Sequence, residues 1–228
     1  MSLAATLITM VSGDRLGPVQ AAYDLIAEHY AAHFRSTEPE QAVDLAMIDH
    51  FAKLLSGSRV VLDAGCGAGR MARYLADRGC HVQGIDLSPE MIRMAQRDHP
   101  HIPSCVSSIT ALPFRYDTFD GLFYWYSIIH LTDTDLGAAL QEASRVLRHG
   151  GHILLAFQTG TGSREVGEGY SRRYGRDVTM IRFHRMPDAV TQLLRSSGFA
   201  EVCRLDRAPV VGLERDGQAV LIALRSER

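Results

Sequence analysis

The sequence has almost no lysine, no paired cysteines and no long apolar run. Lys53 is its single lysine, so nearly all of its 24 basic side chains are arginine, against 26 acids. The skew toward arginine reads as codon usage in a GC-rich genome, not as a demand for guanidinium chemistry. A net charge of −2 gives no global attraction to phosphate backbones and argues against a dedicated nucleic-acid binder. Cys66, Cys80, Cys105 and Cys203 form no CxxC pair and no metal-ligand spacing, which fits free thiols in a reducing cytoplasm. No stretch of about eighteen apolar residues occurs, so no membrane span is expected. LAATLITMV, residues 3–11, is long enough for a signal-peptide core, but no basic residue precedes it and no A-x-A site follows. It is expected to form an N-terminal helix packed on the domain or on a second subunit. HEXXH, P-loop and Ser-His-Asp patterns are all missing, and no metal site is expected.

What is present is an alternation of periods. At 228 residues the chain is expected to fold as one structural domain, with residues 1–58 as an N-terminal helical cap and 59–228 as the main body. AAYDLIAEHYAAHF puts Tyr23, Ile26, Tyr30 and Phe34 on one helical stripe. TEPEQAVDLAMIDHFAKLL is predicted to start a second helix with Thr37 and Glu40 in a capping box and Pro39 in its first turn. RVVLDAG, HVQGID, IPSCVSS, FDGLFYWYS and GHILLAFQ then read as strands. The helices between them include one capped by Ser88 and one, TDTDLGAALQEASRVLRHGG, with Gly150 past its end. Strands and helices of these lengths predict a doubly wound α/β sheet with right-handed crossovers. EVCRLDRAP and QAVLIALRS are expected to pair as a terminal hairpin, giving the sheet an antiparallel edge. Between them and the fifth strand, residues 159–185 break the alternation with five glycines and six arginines against three acids. An insertion this long after a sheet strand is usually functional or disordered.

The chemistry begins at VVLDAGCGAGR, residues 60–70. Small residues at a strand end let the backbone approach a ligand closely, and the following helix offers free N–H groups. Gly65, Gly67 and Gly69 follow G-x-G-x-G, not the dinucleotide G-x-G-x-x-G. Asp63, two places before, would repel a pyrophosphate but suits an ammonium group. Asp86 ends the next strand, where a carboxylate can accept both hydroxyls of a ribose. An adenosine compound with a cationic tail, S-adenosylmethionine (SAM), fits both acids.

Four segments in order, VLDAGCGAGR, GIDLSPEMIRMAQ, ALPFRYDTFDGLFYWYSIIHL and RVLRHGGHILLAF, resemble the class I SAM-dependent methyltransferases, most of all the group that includes quinone-biosynthesis and other small-molecule enzymes. The resemblance covers residues 59–157. It implies a Rossmann-like, mostly parallel seven-stranded sheet with an antiparallel last strand, with SAM as cofactor and S-adenosylhomocysteine (SAH) as product. It places Gly65 and Gly67 against the methionine part, Asp86 on the ribose and Leu87 on the adenine; Asp63 and Ala64 are further cofactor-binding candidates at the turn. Trp125 joins the cofactor wall, and Tyr30 would fold over the SAM carboxylate. One position departs: where the family carries an acid and an alanine for the adenine edge, this chain has Ser108 and Ile109. A neutral contact is about half as strong as a charge-assisted one, so weaker adenine recognition is expected.

Methyl transfer from a sulfonium needs mainly alignment, which can supply roughly 7–11 kcal/mol. His130, in YSIIHL, is the candidate base; a structural histidine at a helix start is the alternative. Of Tyr124, Trp125 and Tyr126, one is expected in the core and one in the pocket. Tyr23, Tyr126, Arg182 and His184 are the candidate acceptor contacts, and His184 with Arg182 and Arg185 could hold an anionic acceptor; a solvated basic loop is the plainer reading. No NPPY, DPPW or Pro-Cys follows the fourth strand, which counts against the known routes to adenine, glutamine and cytosine methylation. The acceptor is therefore expected to be a small molecule, taken by a monomer or homodimer under a cap made of the N-terminal helices and residues 159–185. Three other readings stand beside this one. A SAM-binding regulatory subunit is motivated by Ser108. A nicotinamide-dependent oxidoreductase is opposed by the glycine spacing. Methylation of structured RNA would make binding steeply salt-dependent.

Overall fold

Alternate residues of each central strand go to opposite faces of one sheet, and this division organises the chain. The computed structural model describes residues 16–226; the segment 3–11, read above as a helix, lies outside them. β1 (Val60–Ala64), β2 (His81–Asp86), β3 (Ser104–Val106), β4 (Phe119–Trp125) and β5 (Leu147–Gln158) run parallel, and β8 (Phe199–Arg207) and β9 (Gln218–Arg225) complete the sheet. The strand order is β3-β2-β1-β4-β5-β9-β8. β9 is antiparallel to both neighbours, so the terminal hairpin inserts its second strand inside the sheet and leaves β8 on the edge.

Leu62, Leu122, Tyr124, Leu155 and Leu221 point to one face and pack under α5 (Asp133–Val146) and α7 (Pro187–Ser196). Val61, Phe123, Leu154 and Val220 point to the other, under α2 (Ala42–Leu54) and α3 (Arg70–Ala76). Each fully buried side chain of this size contributes about 1.5–3 kcal/mol, so the two-residue period also fixes the register. α4 (Pro89–Asp98) begins at Ser88, whose hydroxyl accepts from the Met91 N–H at 3.0 Å as the sequence predicted.

Three expectations change. The Thr37–Glu40 capping box does not form: α2 starts at Ala42 with Gln41 as an N-cap that makes no side-chain bond, because the Glu40 carboxylate is drawn into an ion pair with Arg70. Gly150 does not close α5, which ends at Val146 and passes directly into β5. There Gly150 (φ +74°) lies in an excursion that shifts the pairing from Phe119–Leu147 to Gly121–His152. Finally, the N-terminal helices separate. α2 is part of the sheet's covering layer, whereas α1 (Gly17–His33) packs on α4 and the insertion.

The insertion itself is ordered into β6 (Ser163–Glu165), α6 (Gly167–Tyr174) and β7 (Ile181–Phe183), with β6 and β7 paired antiparallel. Ile26 and Ala27 of α1, Met91 and Met94 of α4, and Tyr174 and Met180 of the insertion form a small apolar cluster of their own. The sheet order reverses direction between β1 and β4, and in such sheets a ligand crevice opens at the carboxyl ends of the strands flanking that point.

Candidate functional site

The crevice at that reversal is a cavity of about 690 Å³, floored by the glycine turn and roofed by α1 and the insertion. The turn is closed by a shared acceptor: the N–H groups of Gly65 and Cys66 both donate to the Ile85 carbonyl at 2.8 Å. Gly65 has φ +87°, and a Cβ there would lie 2.2 Å from the Cβ of Ser127. Gly67 has φ +53° and open space where a Cβ would point, with nothing nearer than Tyr30 at 3.9 Å. Both lie on the cavity wall, so the turn presents bare backbone to whatever fills it.

Asp86 stands beside it. One carboxylate oxygen accepts from the Gly67 N–H at 2.8 Å and the other from the Ser88 N–H at 2.9 Å. Burial raises its pKa, and these two N–H donors oppose the rise. Asp86 lines the cavity, and an oxygen that accepts one N–H still has capacity to accept another bond. Leu87, Ser108 and Ile109 line the next part of the wall. The Ser108 hydroxyl is held in a local turn, 2.8 Å from the Thr110 hydroxyl and accepting from the Thr110 N–H at 3.2 Å.

Asp63 and Ala64 do not line the cavity. Both are buried, and one Asp63 oxygen has no hydrogen-bond partner. Burial is the main force that pushes the Asp63 pKa up to about 7; Asp86 adds to it, while Arg70 and the Ala72 N–H work against it. Asp63 can therefore act on a bound cation only as a charge behind the turn.

The three consecutive aromatics after the strand core divide as follows. Tyr124 is fully buried under α5 with an unpartnered hydroxyl. Trp125 faces the opposite side, stacked on Phe123 with ring centroids 5.7 Å apart, and lines the cavity with its indole N–H unpartnered. Tyr126, at φ +56°, also reaches the cavity. A side chain held in the left-handed region is costly, and such positions cluster at ligand sites.

His130 is buried and bonded on both ring nitrogens. Nδ1 is 2.6 Å from the Ile181 carbonyl, which can only accept, so the proton sits on Nδ1. Nε2 is then the acceptor for the Tyr23 hydroxyl at 3.0 Å. Burial lowers the His130 pKa to about 4 and raises that of Tyr23 well above its ordinary value. Tyr30, about two turns along α1 from Tyr23, lines the same cavity, and its phenol pKa is raised by burial.

Known proteins share parts of this sequence and its fold. Residues 61–151 match the methyltransferase-domain family. A malonyl-[acyl-carrier protein] O-methyltransferase of Pseudescherichia vulneris is 38% identical over 144 residues, covering 62% of this chain and 53% of that protein. A demethylmenaquinone methyltransferase of Streptomyces avermitilis is 33% identical over 95 residues, 42% of this chain and 40% of that protein. The structure of a SAM-dependent methyltransferase from Methanosarcina mazei matches with a TM-score of 0.69 at 20% identity, over 79% of this chain and 98% of that one. The chain carries a methyltransferase domain over residues 61–151, in a fold shared with SAM-dependent methyltransferases. It spans about half the length of the first of these curated relatives.

The cavity wall also includes residues that no sequence motif singled out. Arg70 and Glu40 form an ion pair on the cavity wall beside Gly67 and Tyr30, with little of either side chain exposed. A cation as the first residue of a helix opposes the helix dipole, and that was the available signal. Gln158 and Gln218, directly paired across β5 and β9, line the cavity with unpartnered amide oxygens.

The basic insertion does not act as one group. Arg182 lines the cavity; His184 does not, and its Nε2 sits 3.0 Å from Arg164 and 3.3 Å from Asp216. Arg185 is buried, donating to the Ile128 and Leu131 carbonyls and pairing with Asp133, so it braces the loop after β4 and cannot meet an acceptor. Among the described residues no three His, Cys, Asp or Glu side chains converge as metal ligands, and no helix is long and apolar enough to cross a membrane.

Proposed function

We propose that the protein moves a methyl group from SAM to a small-molecule acceptor held between the glycine turn and the cap. The observation that carries this reading is that Asp86, fixed by two backbone N–H groups, opens into the same cavity as the Tyr23–His130 pair. A cavity of about 690 Å³ is in the range that holds one cofactor with a small partner.

In this reading Asp86 takes the ribose hydroxyls and Leu87 and Ile109 flank the adenine, with the Ser108 hydroxyl near its edge. Gly65 and Gly67 let the methionine part lie on backbone, while Tyr30 and Arg70 meet its carboxylate and Trp125 closes the wall. Bound SAM supplies an electrophilic methyl carbon on a sulfonium that leaves as a neutral thioether. The chain then has to bring an acceptor atom into line and exclude water; α1 and the insertion perform both tasks by covering the crevice.

An oxygen acceptor agrees with the names of the malonyl-[acyl-carrier protein] O-methyltransferases among the relatives. For such an acceptor Tyr23 is the first group to meet the departing proton. The Tyr23 oxygen receives it as its own proton passes to Nε2 of His130, and the Nδ1–H bond to Ile181 keeps the imidazole oriented. A base held near pKa 4 is weak, so the relay suits an acceptor that is already acidic.

Calorimetric titration with SAM and with SAH tests the reading. Both should bind, and Asp86→Ala should weaken SAH by about tenfold or more, the equivalent of one charge-assisted hydrogen bond. Absence of binding by either compound, or an Asp86→Ala variant indistinguishable from the parent, would remove the proposal.

A further inference from the structure

We propose that the acceptor binds as a carboxylate whose charge pairs with Arg182. This rests on the methyltransferase reading and goes beyond it by naming the acceptor's chemical class. β7 is stitched to the loop after β4 on both sides of Arg182: the His130 Nδ1–H donates to the Ile181 carbonyl at 2.6 Å, and the Phe183 N–H donates to the Ile129 carbonyl at 2.7 Å. Arg182 is therefore set on the cavity wall next to the group that would handle the acceptor's proton. Its charge is felt there: it opposes protonation of His130 and favours an anion at Tyr23.

Arg182 lacks a full partner within the protein. Its nearest acid is Asp216, at 3.7 Å, and the same carboxylate oxygen already serves Arg164 and His184. Two guanidiniums thus share one carboxylate. Among the described residues the Arg182 guanidinium makes no hydrogen bond; its Nε–H is buried out of a ligand's reach, and the 19% of the side chain that is exposed leaves the terminal N–H groups to meet an anion.

The other acids on the wall are committed elsewhere. Glu40 pairs with Arg70 and Glu214 with Arg207; Glu165 accepts the Gly167 and Met180 N–H groups, Glu168 lies 3.4 Å from Arg172, and Asp86 holds the turn. A mostly buried guanidinium with an open donor is expensive to keep unless a ligand anion completes it. Arg173 and Arg215 also line the cavity without an ion pair among the described residues, but Arg182 is the guanidinium held beside the Tyr23–His130 pair, and its single charge there matches a carboxylate. Arginine's planar fork suits this partner where a lysine would give only a point charge.

The test uses SAH-saturated protein and two matched pairs of probes, 4-hydroxybenzoate with 4-hydroxybenzamide and hexanoate with hexanamide, followed by saturation-transfer NMR. Each acid should bind about tenfold more tightly than its amide, the worth of one charge-assisted contact. In Arg182→Met the preference should vanish, while Arg182→Lys keeps part of it and SAH affinity is unchanged in both. Equal binding of acid and amide, no binding of either acid, or a preference that survives in Arg182→Met overturns the inference. Should the parent protein fail to bind SAH at all, the methyltransferase reading falls and takes this one with it. If SAH binds but the acids are not preferred, only the carboxylate assignment is lost.

Discussion

Gly65 and Ser127 approach so closely that a methyl group on the glycine would place two Cβ atoms 2.2 Å apart. The contact joins the end of β1 to the loop beyond β4, the two walls of the crevice. Gly65→Ala also forces a side chain into φ +87°. The conformational cost of about 1–2 kcal/mol and the overpacking cost of about 1–3 kcal/mol add to a loss of roughly 2–5 kcal/mol. Denaturant unfolding should show this loss, and SAH affinity should fall with it. A stable Gly65→Ala protein with unchanged SAH binding would mean the turn is not packed this way.

Tyr23 and His130 make a prediction about titration. The folded-state pKa of His130, about 4, lies below its ordinary 6.5. Its contribution to stability is therefore present above pH 6.5 and is lost as the pH falls toward 4. NMR should find His130 neutral at pH 7, with the proton on Nδ1. In Tyr23→Phe the tautomer should persist, held by the Ile181 carbonyl, and the imidazole should no longer see a donor on Nε2. An Nε2–H tautomer in the parent protein would contradict the relay.

Asp63 makes the opposite prediction. Its pKa is raised from 3.8 to about 7, so its protonated form stabilises the fold below pH 4 and that advantage disappears as the pH rises to 7. Binding a sulfonium and an ammonium in front of it favours the ionised carboxylate. SAM uptake near pH 7 should thus release protons, seen as calorimetric heats that depend on the buffer's ionisation enthalpy, and SAM affinity should rise between pH 6 and 8. Asp63→Asn should abolish the release. A buffer-independent heat in the parent would show that Asp63 does not sense the ligand.

Ser108 offers a gain of function. Its hydroxyl is already engaged with Thr110, which leaves little for an adenine amino group. Ser108→Asp should tighten SAH by several-fold if adenine lies against Leu87 and Ile109, since a charged acceptor bonds about twice as strongly as a neutral one. Weaker binding of SAH would place the adenine elsewhere.

The sheet and the glycine turn were legible because each follows from a local pattern. The two-residue period of β4 and β5, the Ser88 cap and the Gly65–Gly69 run all act within a few residues of themselves. What the sequence hid depends on partners far along the chain. Glu40 has the right spacing to cap α2, but Arg70, thirty residues on, takes its carboxylate. Arg185 and Arg182 look alike in a basic loop; only the loop after β4 decides that one is buried and the other faces the cavity. The split of Tyr124, Trp125 and Tyr126 required the register, and the left-handed backbone at Tyr126 has no signature in its residue type.

The two bonds from β7 to residues 129 and 130 bear on how new acceptors can be acquired. The roof is not a detachable module, because its backbone orients the very imidazole that a new acceptor would address. A grafted or lengthened roof that failed to restore a carbonyl opposite Nδ1 would let the ring turn. Selectivity and proton handling would then drift together, so the segment 127–131 and the insertion should be exchanged as one unit.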